Sequence, residues 1–244
     1  MNPKLLKQQF EKSLETYNNN AIVQKDLAQK LAIEVSNNKS DYNNILELGC
    51  GSGLLTKEIV KHIKFRQYYA NDLVEKSQDY IKKIVPDCKF YIGDARNIKP
   101  NQKMDLIVSN AMFQWFENLE KASNSFKPIL NKEGILAFST FTPENYQEVR
   151  EITGLSLKYK TKDEIIDIFS KNYKILCIKE FNKQIKFKTP LELLAHMKNT
   201  GVNSLSSSHW TIKDVKDFCD KYKQKYPDIR LTYAGIIFIC QKIN

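Results

Sequence analysis

Few residues in this 244-residue chain are suited to metal or disulfide chemistry. Its five cysteines, at positions 50, 88, 177, 219 and 240, are odd in number and include no C-x-x-C pair, so neither a disulfide framework nor a zinc ribbon is indicated. The three histidines, His62, His196 and His209, have no metal-ligand spacing, and no metal is expected. No apolar run approaches the roughly 18 residues of a spanning helix. The opening "MNPKLLKQQFEKSLETY" has neither an apolar h-region nor a cleavage site, so the expectation is a cytoplasmic protein without a membrane partner.

Arginine is also scarce. Only Arg66, Arg96, Arg150 and Arg230 contribute to the 38 basic residues, and the rest are lysine. The net charge of +10 invites a nucleic-acid reading. In a chain rich in Asn and Ile, however, lysine excess is what an A/T-biased coding sequence produces. The charge suits an acidic partner of any kind, and no nucleic acid is expected. The four arginines matter more, because lysine cannot imitate a rigid bidentate fork.

What is present suits a globular α/β fold. A hydrophobic fraction of 42% with 11% aromatics can bury a core. Leu5, Leu6, Phe10 and Leu14 lie at helical spacing, and after "YNNN" the stripe resumes with Ile22, Val23, Leu27, Leu31 and Val35. Strands are predicted at 44–48, 67–71, 88–92, 104–109 and 134–140 with helices between them, the signature of βαβ units and a parallel sheet. Two further strands close the chain, separated by a helical stretch. The expected plan is a single domain over 1–244. Its parts are an N-terminal helical cap (1–38), a core (39–189 and 229–244) and a helical lid (190–228) inserted before the last strand.

The first strand runs into "ILELGCGSGLLT", placing Glu47, Gly49, Gly51 and Gly53 at E-x-G-x-G-x-G ahead of a helix. A phosphate cradle requires G-K-[ST], but Leu54 and Leu55 follow Gly53. A dinucleotide fingerprint requires Gly or Ala at its sixth place, where Leu54 stands. S-adenosylmethionine (SAM) remains, since its amino-acid part carries no phosphate. Asp72, after the second strand, sits where an acid can reach ribose hydroxyls, and Asp94 in "IGDARNI" can accept from an adenine amino group. Alternatively, Asp72 caps a helix and Asp94 belongs to an ordinary turn.

The glycine loop, both acids and the "DLIVSN" strand resemble class I SAM-dependent methyltransferases. Across almost the whole chain, "FEKSLETYNNNAIVQKDLAQKL", "SNAMFQW", "LAFSTFTPENYQEVRE", "HMKNTGVNSL" and "LTYAGIIFI" resemble the malonyl-acyl-carrier-protein O-methyltransferases of biotin synthesis. The resemblance implies a Rossmann-like, mostly parallel seven-stranded sheet with one antiparallel edge strand. It implies SAM as methyl donor, S-adenosyl-homocysteine as product, and a malonyl thioester on acyl carrier protein or coenzyme A as acceptor. Tyr17 and Gln24 are implied to close over the cofactor. Cofactor contacts are expected from Tyr17, Gln24, Glu47, Gly49, Cys50, Gly51, Gly53, Asp72, Leu73, Asp94, Ala95, Ser109, Asn110 and Ala111. Ala234 in "LTYAG" departs from the family, where many relatives carry a histidine.

A malonyl half-thioester is already ionised at neutral pH, so methylating it needs no general base. Orientation and exclusion of water should help most. That gives a role to "VSNAMFQWF", an apolar strand running into aromatics: Phe113, Trp115 and Phe116 can wall off water, or simply pack as core. Gln114 can donate to the acceptor without adding charge. Arg150 is the first candidate for holding the acceptor carboxylate and Arg230 the second, with Tyr17, Trp115 and Tyr233 as further acceptor contacts. His196 and His209 are expected to have no chemical role. Lysines of 190–228 can steer an acidic carrier protein. The prolines of [DNS]-P-P-[YFW], which often mark methylation of base amino groups, are absent at 109–112. Competing readings are methylation of a free polycarboxylate of aconitate type, methylation of a quinone or phenol (which would need a base), and a non-catalytic SAM-binding scaffold.

Overall fold

The computed structural model describes residues 20–243 except 201–209, together with Lys7 and Glu11. The first apolar stripe, at Leu5 to Leu14, lies almost wholly outside the described residues, as do Tyr17 and His209.

Seven strands form one sheet. They are β1 (Asp41–Leu48), β2 (Lys64–Asp72), β3 (Lys89–Ile92), β4 (Met104–Ser109), β5 (Leu130–Phe141), β6 (Tyr173–Lys186) and β7 (Arg230–Lys242), in the order β3-β2-β1-β4-β5-β7-β6. The pairs from β3 through to β5 are parallel, whereas β7 runs antiparallel to both of its neighbours. The reversed strand therefore lies one place in from the edge, with β6 outside it. Burial follows position. "MDLIVS" of central β4 is buried almost throughout, as a strand covered on both faces must be. Edge strand β6 shows a partly exposed face and carries Lys174, Lys179, Lys183 and Lys186, charges that discourage pairing with another chain.

Helices cover both faces. Their ranges are α1 (Ile22–Asn38), α2 (Leu54–His62), α3 (Ser77–Lys82), α4 (Leu119–Phe126), α5 (Gln147–Thr153), α6 (Lys162–Ser170), α7 (Pro190–Asn199) and α8 (Ile212–Lys225). Helix α1 buries Val23, Leu27, Leu31 and Val35, spaced four apart along one stripe. It lies close against β7: a Cβ on Gly235 would come within 3.1 Å of Leu27 Cδ2. Capping boxes start α6 (Thr161 with Glu164) and α8 (Thr211 with Asp214). Helices α7 and α8 form the insertion between β6 and β7, anchored by buried Leu193, Met197, Phe218 and Tyr222.

Connections from β1 lead to β2 and β3 on one side, and the chain then returns to β4 on the other. That reversal opens a crevice at the carboxyl ends of β1 and β4, the usual place for a ligand in such a sheet. Among the described residues no helix is long and apolar enough to cross a membrane.

Candidate active site

The crevice begins at the turn after β1. Gly49, Gly51 and Gly53 all have positive φ, and Gly49 has no room for a side chain, since a Cβ would lie 2.7 Å from Met112 Cγ. The turn is pinned on both sides. Cys50 N–H donates to Asn71 O at 3.0 Å, and Gly51 N–H donates to Asp72 Oδ2 at 2.8 Å. The other Asp72 oxygen accepts Val74 N–H at 2.8 Å and the Leu73 N–H adds a third backbone donor, so the carboxylate keeps a lone pair for one ligand hydroxyl. Burial pushes the Asp72 carboxyl above its ordinary value, against these backbone bonds.

Glu47 lies behind the turn, fully buried. Thr56 Oγ1 and the Tyr68 hydroxyl each donate to its Oε2 at 2.5 Å. Burial lifts its pKa to about 7. Both donors brace β1 to α2 and β2, so Glu47 acts on the turn through these neighbours. Asp94 ends the turn after β3 and caps a short 3-10 turn, Ala95–Asn97, through a bond from Arg96 N–H. The Arg96 guanidinium also grips Asp94, with Nη2 to Oδ2 at 2.5 Å, holding the carboxyl below the usual range. An adenine amino group at Asp94 would therefore share its acceptor with Arg96, a partner sequence reasoning did not foresee. Leu73 and Ala95 follow the two acids in their turns.

The segment after β4 divides its work residue by residue. Ser109 Oγ donates to Leu48 O at 2.9 Å and ties β4 to β1. Asn110 accepts from Ser139 Oγ at 2.6 Å and donates to Gln24 O at 2.9 Å, joining β4, β5 and α1. Ala111 turns the chain at φ +51. Met112 packs on the glycine turn. Phe113 leaves the crevice: it is buried, stacked on Phe138 at 4.2 Å and in edge contact with Phe116. Phe113 is therefore core, with Phe116 packed against it. Gln114 Nε2 is held by Ala111 O at 2.5 Å, while Gln114 and Trp115 face the crevice.

Beside the glycine turn lies a cavity lined by Gln24, Ala111, Gln114, Trp115, Phe141, Asn145, Tyr146, Leu157, Tyr159 and Thr200. None of these residues carries a formal charge. Gln24 is buried and its Oε1 has no hydrogen-bond partner among the described residues, leaving an acceptor for a donor on a ligand. Tyr146 takes a left-handed conformation at the start of α5 (φ +56), and its hydroxyl bonds those of Tyr233 and Thr200. Burial and Tyr233 together push its phenol well above the ordinary value. Tyr233 shares a 2.6 Å hydrogen bond with His196 Nε2, whose pKa burial lowers. His196 is thus joined to the pocket through two tyrosines, which its sequence gave no reason to expect.

The two arginines lie elsewhere. Arg150 Nη1 donates to Pro143 O, and its side chain is not among those lining the cavity. Arg230 pairs with Glu148 (3.6 Å) and Asp228 (3.2 Å) and lies over the Tyr226 ring, at the start of β7 and outside the residues lining the cavity. Both are sequence candidates for holding the acceptor. Buried Glu148 and neighbouring Asp228 partner Arg230, the Pro143 carbonyl partners Arg150, and neither arginine lines the cavity. Tyr233 is also a second layer behind Tyr146. Asn145, Tyr146, Tyr159 and Thr200 were not foreseen as pocket residues. Among the described residues no cluster of His, Cys, Asp and Glu could hold a metal ion.

The chain matches the family described as a methyltransferase domain over residues 46–138. A malonyl-[acyl-carrier protein] O-methyltransferase of Calditerrivibrio nitroreducens is 35% identical, with 97% of this chain and 96% of the relative covered. Those of Prosthecochloris aestuarii (33% identical; 96% and 91% covered) and Haemophilus influenzae (32%; 97% and 93%) are similarly alike. Among solved structures, a putative methyltransferase of Bacillus halodurans superimposes with a TM-score of 0.65 at 14% identity, covering 88% of this chain and 99% of that one. The N-methyltransferase NodS of Bradyrhizobium japonicum, in complex with S-adenosyl-L-homocysteine, gives 0.60 at 12% identity, with 98% and 99% covered. At these identities the solved structures speak to fold alone.

Proposed function

Because this chain belongs to the malonyl-[acyl-carrier protein] O-methyltransferases, we propose that it methylates the free carboxylate of a malonyl thioester, carried on acyl carrier protein or coenzyme A, in the cytoplasm. SAM supplies the methyl group on a sulfonium. The residues suit that donor: the glycine turn leaves no room for a side chain at Gly49, Asp72 keeps a lone pair for a ribose hydroxyl, and Gln24 Oε1 would accept from an ammonium. Ser109 and Asn110 tie β4 to β1, β5 and α1, keeping the floor between the two halves rigid.

The observation carrying this reading is the uncharged cavity beside the glycine turn. A phenol or amine acceptor would have to lose a proton, and no lining residue suits that task. Tyr146 and Tyr159 are held in their protonated forms by burial. A carboxylate arrives already ionised. A free polycarboxylate would bring further negative charges to a pocket with no cation to meet them. Trp115 and Phe141 exclude water and strengthen the attraction between carboxylate and sulfonium. The methyl ester has lost its terminal charge and can be lengthened by fatty-acid synthesis toward the pimeloyl chain of biotin.

Intact mass of malonyl-acyl carrier protein after incubation with enzyme and SAM tests this reading, with acetyl- and succinyl-carrier controls. One added methyl on the malonyl form alone is expected. No gain, with SAM binding intact by calorimetry, would reject it.

A further inference from the structure

An anion in a pocket without a cation must be held by neutral donors, and the placement of protons identifies one. Tyr159 lines the cavity, and its phenol oxygen accepts a hydrogen bond from Asn145 Nδ2 at 2.9 Å. The orientation of Asn145 is set independently: its Oδ1 accepts the Ala234 backbone N–H at 3.3 Å, so the amide nitrogen must be the group turned to Tyr159. Asn145 is 2% exposed and has little freedom to turn otherwise. A phenol has one proton. With its oxygen already receiving a bond, the Tyr159 O–H is left to donate, and no described residue takes it. Tyr146, by comparison, spends its hydroxyl on Tyr233 and Thr200.

We propose that Tyr159 is the anchor of the acceptor carboxylate, its proton aimed into the cavity by Asn145, a proposal that rests on the carboxyl-methylation reading. A single O–H holds one carboxylate oxygen and leaves the other with its charge, free to attack. A guanidinium fork would bind both oxygens and blunt the nucleophile. Arg150, the first sequence candidate for the cation at the carboxylate, contributes here from behind the wall, where its positive charge opposes the effect of burial on the Tyr159 phenol and so sharpens the donor.

Tyr159→Phe and Asn145→Asp test the pair. Phe removes one oxygen and keeps the ring. Asp places an acceptor where Asn145 donated, so the Tyr159 proton turns away from the cavity toward the new carboxylate. Each variant should lower kcat/KM for malonyl-acyl carrier protein by about 10- to 100-fold, chiefly through KM, as expected for losing a hydrogen bond to a charged group. Affinity for acetyl-acyl carrier protein, which has no carboxylate, and for SAM should stay at the wild-type value by calorimetry. Wild-type turnover in Tyr159→Phe would overturn the anchor, and so would parallel losses of malonyl, acetyl and SAM binding, which signal a merely structural pair. Failure of the wild-type enzyme to methylate the malonyl carrier, with SAM bound, would reject the carboxylate reading and the anchor with it.

Discussion

The two halves of the crevice are built in opposite ways. The cofactor half is local. One strand–turn–helix unit supplies Glu47 and three glycines, and an acid stands at the end of β2 and in the turn after β3. The acceptor half is assembled from the segment after β4, the start of α5, the stretch before α6 and the end of α7, with Trp115, Tyr146, Tyr159 and Thr200 far apart in the chain. A chemical task served by backbone geometry leaves a short, readable pattern. One served by side chains converging from many elements leaves almost none.

If that contrast is right, the cofactor half should break at single backbone positions. Gly49→Val combines a positive φ with a Cβ only 2.7 Å from Met112 Cγ. Backbone strain and overpacking of roughly 3 kcal/mol together should weaken SAM binding about 100-fold. Calorimetry with SAM would check this, and near-normal affinity would show that the turn is not held as tightly as its contacts suggest.

Glu47 gives the next largest effect, on stability. Its pKa rises from an ordinary 4.5 to about 7 on burial. The folded state therefore holds a proton that the unfolded chain has released, and this group's contribution, complete below about pH 4.5, is lost as pH rises through 7. At about 1.4 kcal/mol per unit, the loss is at most about 3 kcal/mol. Glu47→Gln keeps an oxygen to accept from Thr56 and Tyr68 but removes the titration. Urea unfolding between pH 5 and 8 should show a flatter stability profile in the variant. Asp72 shifts in the same direction, so some slope will remain.

The acceptor half should instead degrade in steps, and the loop after β4 offers a paired test. Phe113 is stacked in the core while Trp115 lines the cavity, although the two are separated by a single residue. Phe113→Leu should cost about 1–2 kcal/mol of stability and leave KM for the malonyl carrier unchanged. Trp115→Ala should lower kcat/KM roughly tenfold with little change in melting temperature. A swapped outcome would mean that the loop presents the other face to the acceptor.

Legibility in the sequence follows the same division. The parallel sheet was readable because central strands such as "MDLIVS" are apolar runs and the intervening helices keep their stripes; predicted 134–140 falls within β5. The place of β7, one strand in from the edge, was not readable, because pairing with β5 and β6 is decided by contacts between residues 44 to 106 positions apart. Within the site, the glycine turn and Asp72 stood out, while Arg96's grip on Asp94 did not. Tyr159 lay hidden in "SLKYK", an unremarkable lysine-bearing stretch whose meaning comes only from Asn145.

Arg230, the second sequence candidate for the acceptor's partner, offers the smallest effect. An anion needed a partner, and a scarce arginine beside "LTY" seemed to answer. Its charge is in fact consumed by Glu148, which is fully buried and also accepts Thr232 N–H at 2.9 Å and Thr232 Oγ1 at 2.5 Å. Arg230→Gln should therefore leave kcat/KM for the malonyl carrier within about twofold of wild type, as for a partly exposed side chain outside the cavity lining. Melting temperature should fall slightly, because Glu148 loses a positive neighbour but keeps both Thr232 bonds. A KM increase like that expected for Tyr159→Phe would mean that the carboxylate sits beside the start of β7, and that the uncharged cavity is not its seat.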